Sequence, residues 1–377
     1  MTAPLRLNPL PGTDLVLSEV SFGAGTAAGL MVRGGRADQE RAVARAVELG
    51  INHFDTAALY GFGASEVHLG RALAVVGADV VVTTKVNVPR EYLACGTAGR
   101  YIRRSVEESL VRLGRDRVDI LRLHNATRLE RNRPGGPPDP YADILPHFSV
   151  DDVAGDDGVA AVAAELAAAG KIGHFGLSGQ DNDPAAVRAL IGAGRIAVFN
   201  QPFHLLNPSA GFGRARGGRP VADAFTAEFR DYLDFDDVID FAAARGVGVA
   251  VISPVAAGAL TEAALRGEPA PTVSDRAARF PGPGQYAREL ELARRFEPVA
   301  AKFDMTITEL AWRFCLSAPG VTTVVGGFSD LAQLEEAAAA ARSGPLPDGI
   351  LPELAAIWNP DGGARTGTAV GPHIHRC

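Results

Sequence analysis

Eight short apolar runs, each followed by a helix-forming stretch, constrain this chain more than any other feature. The runs lie at residues 20–23, 51–55, 80–85, 118–124, 172–178, 196–201, 247–253 and 321–325. The amphipathic or alanine-rich stretches between them lie at 38–49, 65–75, 101–113, 158–169, 184–193, 235–244 and 285–303, and another follows the eighth run at 331–342. Eight strand–helix units in series predict an α/β fold, a closed (β/α)8 TIM barrel. An open doubly wound sheet would need a glycine-rich phosphate loop that opens a helix after the first strand. The stretch SFGAGTAAG at 21–29 has the wrong spacing, and no helix-forming segment starts in it. Residues 5–16 read as two short strands around Pro11-Gly12, so an N-terminal β-hairpin (1–17) is expected to cap the closed bottom. Residues 1–377 are expected to form a single barrel domain with an irregular tail at 359–377. Long connections at 125–156, 204–233 and 254–283 follow the fourth, sixth and seventh runs. They therefore belong to the C-terminal face, where such loops build sites.

Composition narrows the function classes. The net charge is −7 and no block of basic residues stands out, which argues against nucleic acid or an anionic membrane as a partner. No run approaches the roughly 18 apolar residues of a transmembrane helix. The opening MTAPLRLNPLPG has no apolar signal-peptide core. Cys95, Cys315 and Cys377 are too few and scattered for a disulfide framework, so a reducing, cytoplasmic location is expected. His373, His375 and Cys377 on the tail fall short of a four-ligand metal site, so no metal is expected.

The strand ends carry the chemistry. The second run ends in Asp55, the third in Lys85, the fourth in His124, the fifth in Ser178 and the sixth in Asn200-Gln201; Tyr60 follows Asp55 closely. In a parallel barrel these ends gather around one mouth. A phenol is a poor acid at neutral pH, a neighbouring ammonium favours its phenolate, and a buried ammonium needs a carboxylate beside it. Asp55, Lys85 and Tyr60 supply such a chain, and His124 can orient a carbonyl oxygen or relay a proton. The cluster suits carbonyl reduction, in which a hydride reaches carbon and a proton reaches oxygen. A nicotinamide cofactor is then implied. One layer below, alternation sets His53, Arg122 and His174 on the interior side; they are expected as a satisfied buried polar layer, the sharper alternative being that Arg122 competes for Asp55 and tunes Lys85.

GINHFDTAALYGFGASEVHLGRAL (50–73), TTKV (83–86), LRLHN (121–125), RRSVEESLVRLGRDRVDIL (103–121), GKIGHFGLSG (170–179) and VFNQPFH (198–204) together resemble the aldo-keto reductase superfamily, over roughly residues 20–354. The resemblance implies an NAD(P)H-dependent oxidoreductase interconverting an aldehyde or ketone and an alcohol. It implies Tyr60 as general acid/base, Asp55 and Lys85 tuning it, and His124 positioning the carbonyl. It assigns the cofactor to Ser178, Gly179, Gln201, Ser253, Gly327, Ser329 and Gln333, with Asn200 supporting Gln201.

Three departures stand out. Gly179 replaces a common asparagine, so one carboxamide contact is lost or passes to Gln180. Ile252, before Ser253-Pro254, replaces a stacking aromatic. Ser329-Asp330 stands where a basic side chain usually grips a 2′-phosphate. NADP(H) is favoured on the family pattern, and NAD(H) is compatible with Asp330. Alternatives are a sugar dehydrogenase, an epimerase-type enzyme that retains its cofactor, or a low-turnover cofactor-binding regulatory subunit such as the potassium-channel β-subunits. The intact Asp–Tyr–Lys–His set favours an enzyme. A small-molecule carbonyl or alcohol substrate is expected, with the protein a monomer or weak homo-oligomer. Arg128, Arg131, Arg133, Arg214 and Arg216 suit a polar or anionic substrate; Tyr141, Phe148, Phe203, Phe212 and Trp358 suit an apolar pocket.

Overall fold

Each apolar run becomes one stave of a closed barrel in the computed structural model, which describes residues 4–130, 146–178, 182–212, 234–275 and 284–359. The chain enters through an antiparallel hairpin, β1 (Leu7–Pro9) and β2 (Val16–Ser18), with Asn8 opposite Leu17. The staves follow: β3 (Val20–Gly23), β4 (His53–Asp55), β5 (Val81–Val86) and β6 (Val118–Leu123). A two-stranded parallel pair, β7 (Thr127–Arg128) and β8 (Phe148–Ser149), stands apart from the barrel. The last four staves are β9 (Ile172–Leu177), β10 (Val198–Pro202), β11 (Gly248–Ile252) and β12 (Thr323–Gly327). The order is β3-β4-β5-β6-β9-β10-β11-β12, and β12 closes on β3 with Val324 opposite Val20. Valine-rich segments such as VVTTKV suit these strands because branched side chains pack well on a pleated surface buried on both faces.

The hairpin seals the floor. Leu10 and Leu17 pack on Ile120 and Val198 inside the barrel, and all four are buried. Burying one such side chain contributes about 1.5–3 kcal/mol. Gly248 makes room for the plug, since a Cβ there would lie 2.1 Å from Leu10 Cδ1. Above the plug lies a hydrogen-bonded polar layer. His53 Nδ1 is 2.7 Å from Ser21 Oγ, its Nε2 is 2.8 Å from Thr83 Oγ1, and Ser21 Oγ meets Thr323 Oγ1 at 2.5 Å. Burial, then the Arg122 charge, pushes the His53 pKa down to about 3, so the ring is neutral and can donate from one nitrogen and accept at the other. His174 differs from expectation: it sits partly exposed at the floor, 2.8 Å from Asp14 of the hairpin loop.

Several elements depart from the sequence reading. The stretch expected as one helix over 285–303 forms two, Gln285–Arg294 and Glu297–Lys302, the second with Pro298 in its first turn, where a missing N–H costs nothing. A helix that the periodicity did not reveal, Ile307–Ser317, precedes β12. The connections thought to be loops also hold short helices at Val150–Ala154 and Glu262–Leu265. Phe148, Phe203, Phe212 and Trp358 pack into the hydrophobic core rather than lining a substrate pocket. Phe203 stacks on Phe314 at 4.8 Å, and the Trp358 indole donates to the Leu205 carbonyl at 2.8 Å. Gly179, Gln180, Arg131, Arg133, Tyr141, Arg214, Arg216, His373, His375 and Cys377 lie outside the described residues.

Candidate active site

The C-terminal ends of β4, β5 and β6 bring Asp55, Lys85 and His124 to one point. Asp55 ends β4, Lys85 lies next to last on β5, and His124 follows β6, its backbone N–H donating to Val86 O at 2.8 Å. The turn after β4, closed by the Tyr60 N–H donating to Ala57 O at 3.1 Å, returns Tyr60 to the same place. Lys85 is 1% exposed and Asp55 3% exposed, so neither charge is compensated by bulk water.

Lys85 Nζ is the hub. It donates to Asp55 Oδ1, to Thr56 O at 2.7 Å and to the Tyr60 hydroxyl at 3.1 Å. Its three ammonium protons thus have three acceptors. Asp55 spends its second oxygen on Arg122, whose Nη1 donates to Oδ2 at 2.6 Å. Burial alone would raise the Asp55 pKa, but Lys85 and Arg122 outweigh it and hold the carboxyl below its ordinary value. Two cations and one carboxylate leave this buried cluster one positive charge in excess. The Tyr60 and His124 rings meet edge to face, with centroids 5.6 Å apart. Burial, and then the Lys85 charge, lowers the His124 pKa to about 3, so its imidazole is neutral near pH 7.

A cavity of about 960 Å³ opens at this cluster. One end is walled by Asp55, Tyr60, Asn87, His124, Ser178 and Asn200. The cavity then continues between the segment after β11 and the β12–helix junction, past Ser253, Glu262, Trp312, Ser329 and Gln333. On its rim the segments after β3 and β11 are tied together. Arg33 Nε donates to Val273 O at 2.7 Å and its Nη2 to Thr26 O at 2.6 Å. The backbone N–H of Asp275 donates to Ala27 O at 2.8 Å.

Most residues expected at the cofactor line this cavity: Ser178, Ser253, Gly327, Ser329 and Gln333. Gln201 does not. It is buried, and its amide donates to Pro202 O at 2.9 Å. Strand alternation brings its neighbour Asn200 to the wall instead, where Asn200 Nδ2 donates to Ser178 Oγ at 3.4 Å. Three buried polar atoms on the same wall have no hydrogen-bond partner among the described residues: Asn200 Oδ1, Asn87 Oδ1 and His124 Nδ1. Buried polar groups normally find partners, so this wall is suited to a ligand rich in hydrogen-bonding groups, such as a nicotinamide carboxamide and a carbonyl substrate.

Thr308 and Trp312 on the unforeseen helix, with Glu262 and Glu336, also line the cavity. That helix, ITELAWRFCLS, is buried at eight of its eleven residues. Its start was legible, since Thr306 caps it by accepting from the Glu309 N–H at 3.0 Å, and Thr with Glu three residues on is a helix-start pattern. Among the described residues no group of three or more His, Cys, Asp or Glu side chains is placed to hold a metal, and no helix is long and apolar enough to cross a membrane.

Comparison with known proteins agrees with this architecture. The family model of the aldo/keto reductase family matches residues 19–359, and the chain belongs to that family of oxidoreductases. It is 27% identical over 367 residues to an L-galactose dehydrogenase of Arabidopsis thaliana, covering 94% of this chain and 95% of that protein. It is 25% identical over 348 residues to an NADH-specific methylglyoxal reductase of Escherichia coli (strain K12), covering 88% and 92%. Among solved structures, an aldo-keto reductase from Bacillus halodurans in its holo form shares the fold, with a TM-score of 0.65 and 23% identity over 94% of this chain and 96% of that one.

Proposed function

We propose that the protein interconverts a small aldehyde or ketone and its alcohol with a nicotinamide dinucleotide, with Tyr60 as general acid in reduction and general base in oxidation. The observation that carries this reading is the Lys85 ammonium, bonded at once to Asp55 and to the Tyr60 hydroxyl at the wall of a cavity. When bound, a nicotinamide dinucleotide supplies or accepts the hydride. As a carbonyl is reduced, the Tyr60 hydroxyl gives its proton to the oxygen where negative charge develops. The phenolate left behind lies against Lys85 and offsets the cluster's excess positive charge, so proton transfer leaves the buried groups closer to neutral. Neutral His124, with an uncommitted ring nitrogen, is suited to hydrogen-bond the carbonyl oxygen and set its angle. Ser178 and Asn200 are suited to the nicotinamide carboxamide, and Ser253, Gly327, Ser329 and Gln333 to the rest of the dinucleotide. Gly179 and Gln201 are carried by the family resemblance alone. The relatives' names, an L-galactose dehydrogenase and a methylglyoxal reductase, support a small polar substrate.

Tyr60→Phe tests the reading. It removes the proton and little volume. Turnover should fall by about 10²–10⁴, the usual worth of a general acid, while dinucleotide binding, followed through quenching of Trp312 fluorescence, stays within a few-fold. Wild-type turnover in the Phe variant rules Tyr60 out.

A further inference from the structure

The cavity has two ends of opposite electrostatic character. At the Lys85 end the buried cluster carries its excess positive charge. The far end, between the helices Glu262–Leu265 and Leu331–Arg342, is walled by four carboxylates: Glu262, Glu268, Asp330 and Glu336. Arg266 is the one Lys or Arg lining the cavity among the described residues, and its Nε is already paired with Glu268 at 2.7 Å. Arg41 lines a neighbouring pocket and is paired with Asp38 at 2.5 Å, and Arg33 on the rim is bonded to the carbonyls of Val273 and Thr26.

The start of the helix Leu331–Arg342 would ordinarily attract an anion through its free N–H groups. Here the chain's own acid occupies it. Asp330 accepts from the Gln333 N–H at 3.0 Å, and Gln333 Oε1 accepts from the Ser329 N–H at 2.9 Å. The Ser329 hydroxyl is also committed, donating to Ala28 O at 2.8 Å. Glu262 is held by the Thr308 hydroxyl at 2.5 Å. Partial desolvation, then the neighbouring Glu262 charge, raises the Glu336 pKa above its ordinary value, as expected where acids crowd together.

We propose that this far end receives the adenosine ribose of the dinucleotide as a free diol, so that the protein selects NAD(H) over NADP(H), with Glu336 as the main discriminating residue. The inference rests on the dinucleotide reading above. Hydride chemistry fixes the nicotinamide at the Tyr60 end, and the one continuous cavity leads the other half of the molecule to the carboxylates. A ribose hydroxyl can donate to a carboxylate there. A 2′-phosphate brings about two further negative charges at pH 7 and meets like charge, while Arg266, the one cation lining the cavity among the described residues, is already paired. This reverses the NADP(H) preference expected from the family pattern. Loss of a basic grip would leave the two cofactors nearly equal; an acidic wall separates them.

The test is equilibrium binding of NADH and NADPH to the full chain by quenching of Trp312 fluorescence, at low and high salt, for the wild type and Glu336→Gln. NADH should bind at least about ten-fold tighter. The margin should narrow at high salt, as charge repulsion is screened. In Glu336→Gln, NADPH should tighten and the margin shrink several-fold. Binding of neither dinucleotide removes the functional reading and this inference together. Binding of both with NADPH equal or tighter overturns the inference alone, and an unchanged margin in Glu336→Gln overturns the assignment to that carboxylate.

Discussion

At the scale of single residues, the polar layer beneath the site has more consequence than a buried counter-ion. Asp55 is shared, one oxygen to Lys85 and the other to Arg122. Arg122 is fully buried, and its Nε and Nη2 find no partner among the described residues. Burial pulls its pKa down from the ordinary guanidinium value against the attraction of Asp55. Arg122→Gln keeps a donor near Asp55 but removes one of the two cations that depress the Asp55 pKa. That pKa should rise, and the acid limb of the pH–rate profile should move to higher pH, with some loss of stability. An acid limb that stays in place would show that Arg122 only fills space. Asp55, Tyr60, Lys85 and His124 were legible in the sequence because each ends or follows an apolar run, and a parallel barrel forces those ends together. The exchange of Gln201 for Asn200 was not, because adjacent residues on a strand face opposite sides and the sequence does not reveal which of a polar pair turns inward.

At the scale of elements, the tie between the segments after β3 and β11 depends on one backbone position. Gly29 has φ +86, and a Cβ there would stand 1.8 Å from Val273 O. Gly29→Ala adds left-handed strain of roughly 1–2 kcal/mol and pushes the 271–275 segment off the segment after β3. Stopped-flow release of a bound dinucleotide should then quicken, with little change in the chemical step. An unaltered release rate would mean that this tie does not control exchange. Such ties between distant segments leave no local pattern, whereas the barrel staves do. The strand at 20–23 coincides with β3, but the eighth was placed two residues early, at 321–325 against Thr323–Gly327. Pairing with neighbours on both sides, rather than hydrophobicity, sets where that strand begins.

At the scale of the whole molecule, buried neutral histidines tie stability to pH. His53 and His124 each have a folded pKa of about 3, against about 6.5 in an unfolded chain. Above pH 6.5 neither state protonates them and the full stability is present. As pH falls from 6.5 towards 3, the unfolded chain takes up protons that the folded one refuses, so stability declines by about 1.36 kcal/mol per pH unit for each such histidine. Asp55, with its lowered pKa, adds to the loss at the acid end. Urea midpoints between pH 7 and 4 should fall steadily, and less steeply in His53→Asn. A flat series over that range would contradict the burial of both rings as neutral species.

The hairpin plug gives the barrel a floor, and a floor makes the cavity a cul-de-sac. Whatever reaches Tyr60 therefore comes from the C-terminal face of the barrel and not along its axis from below.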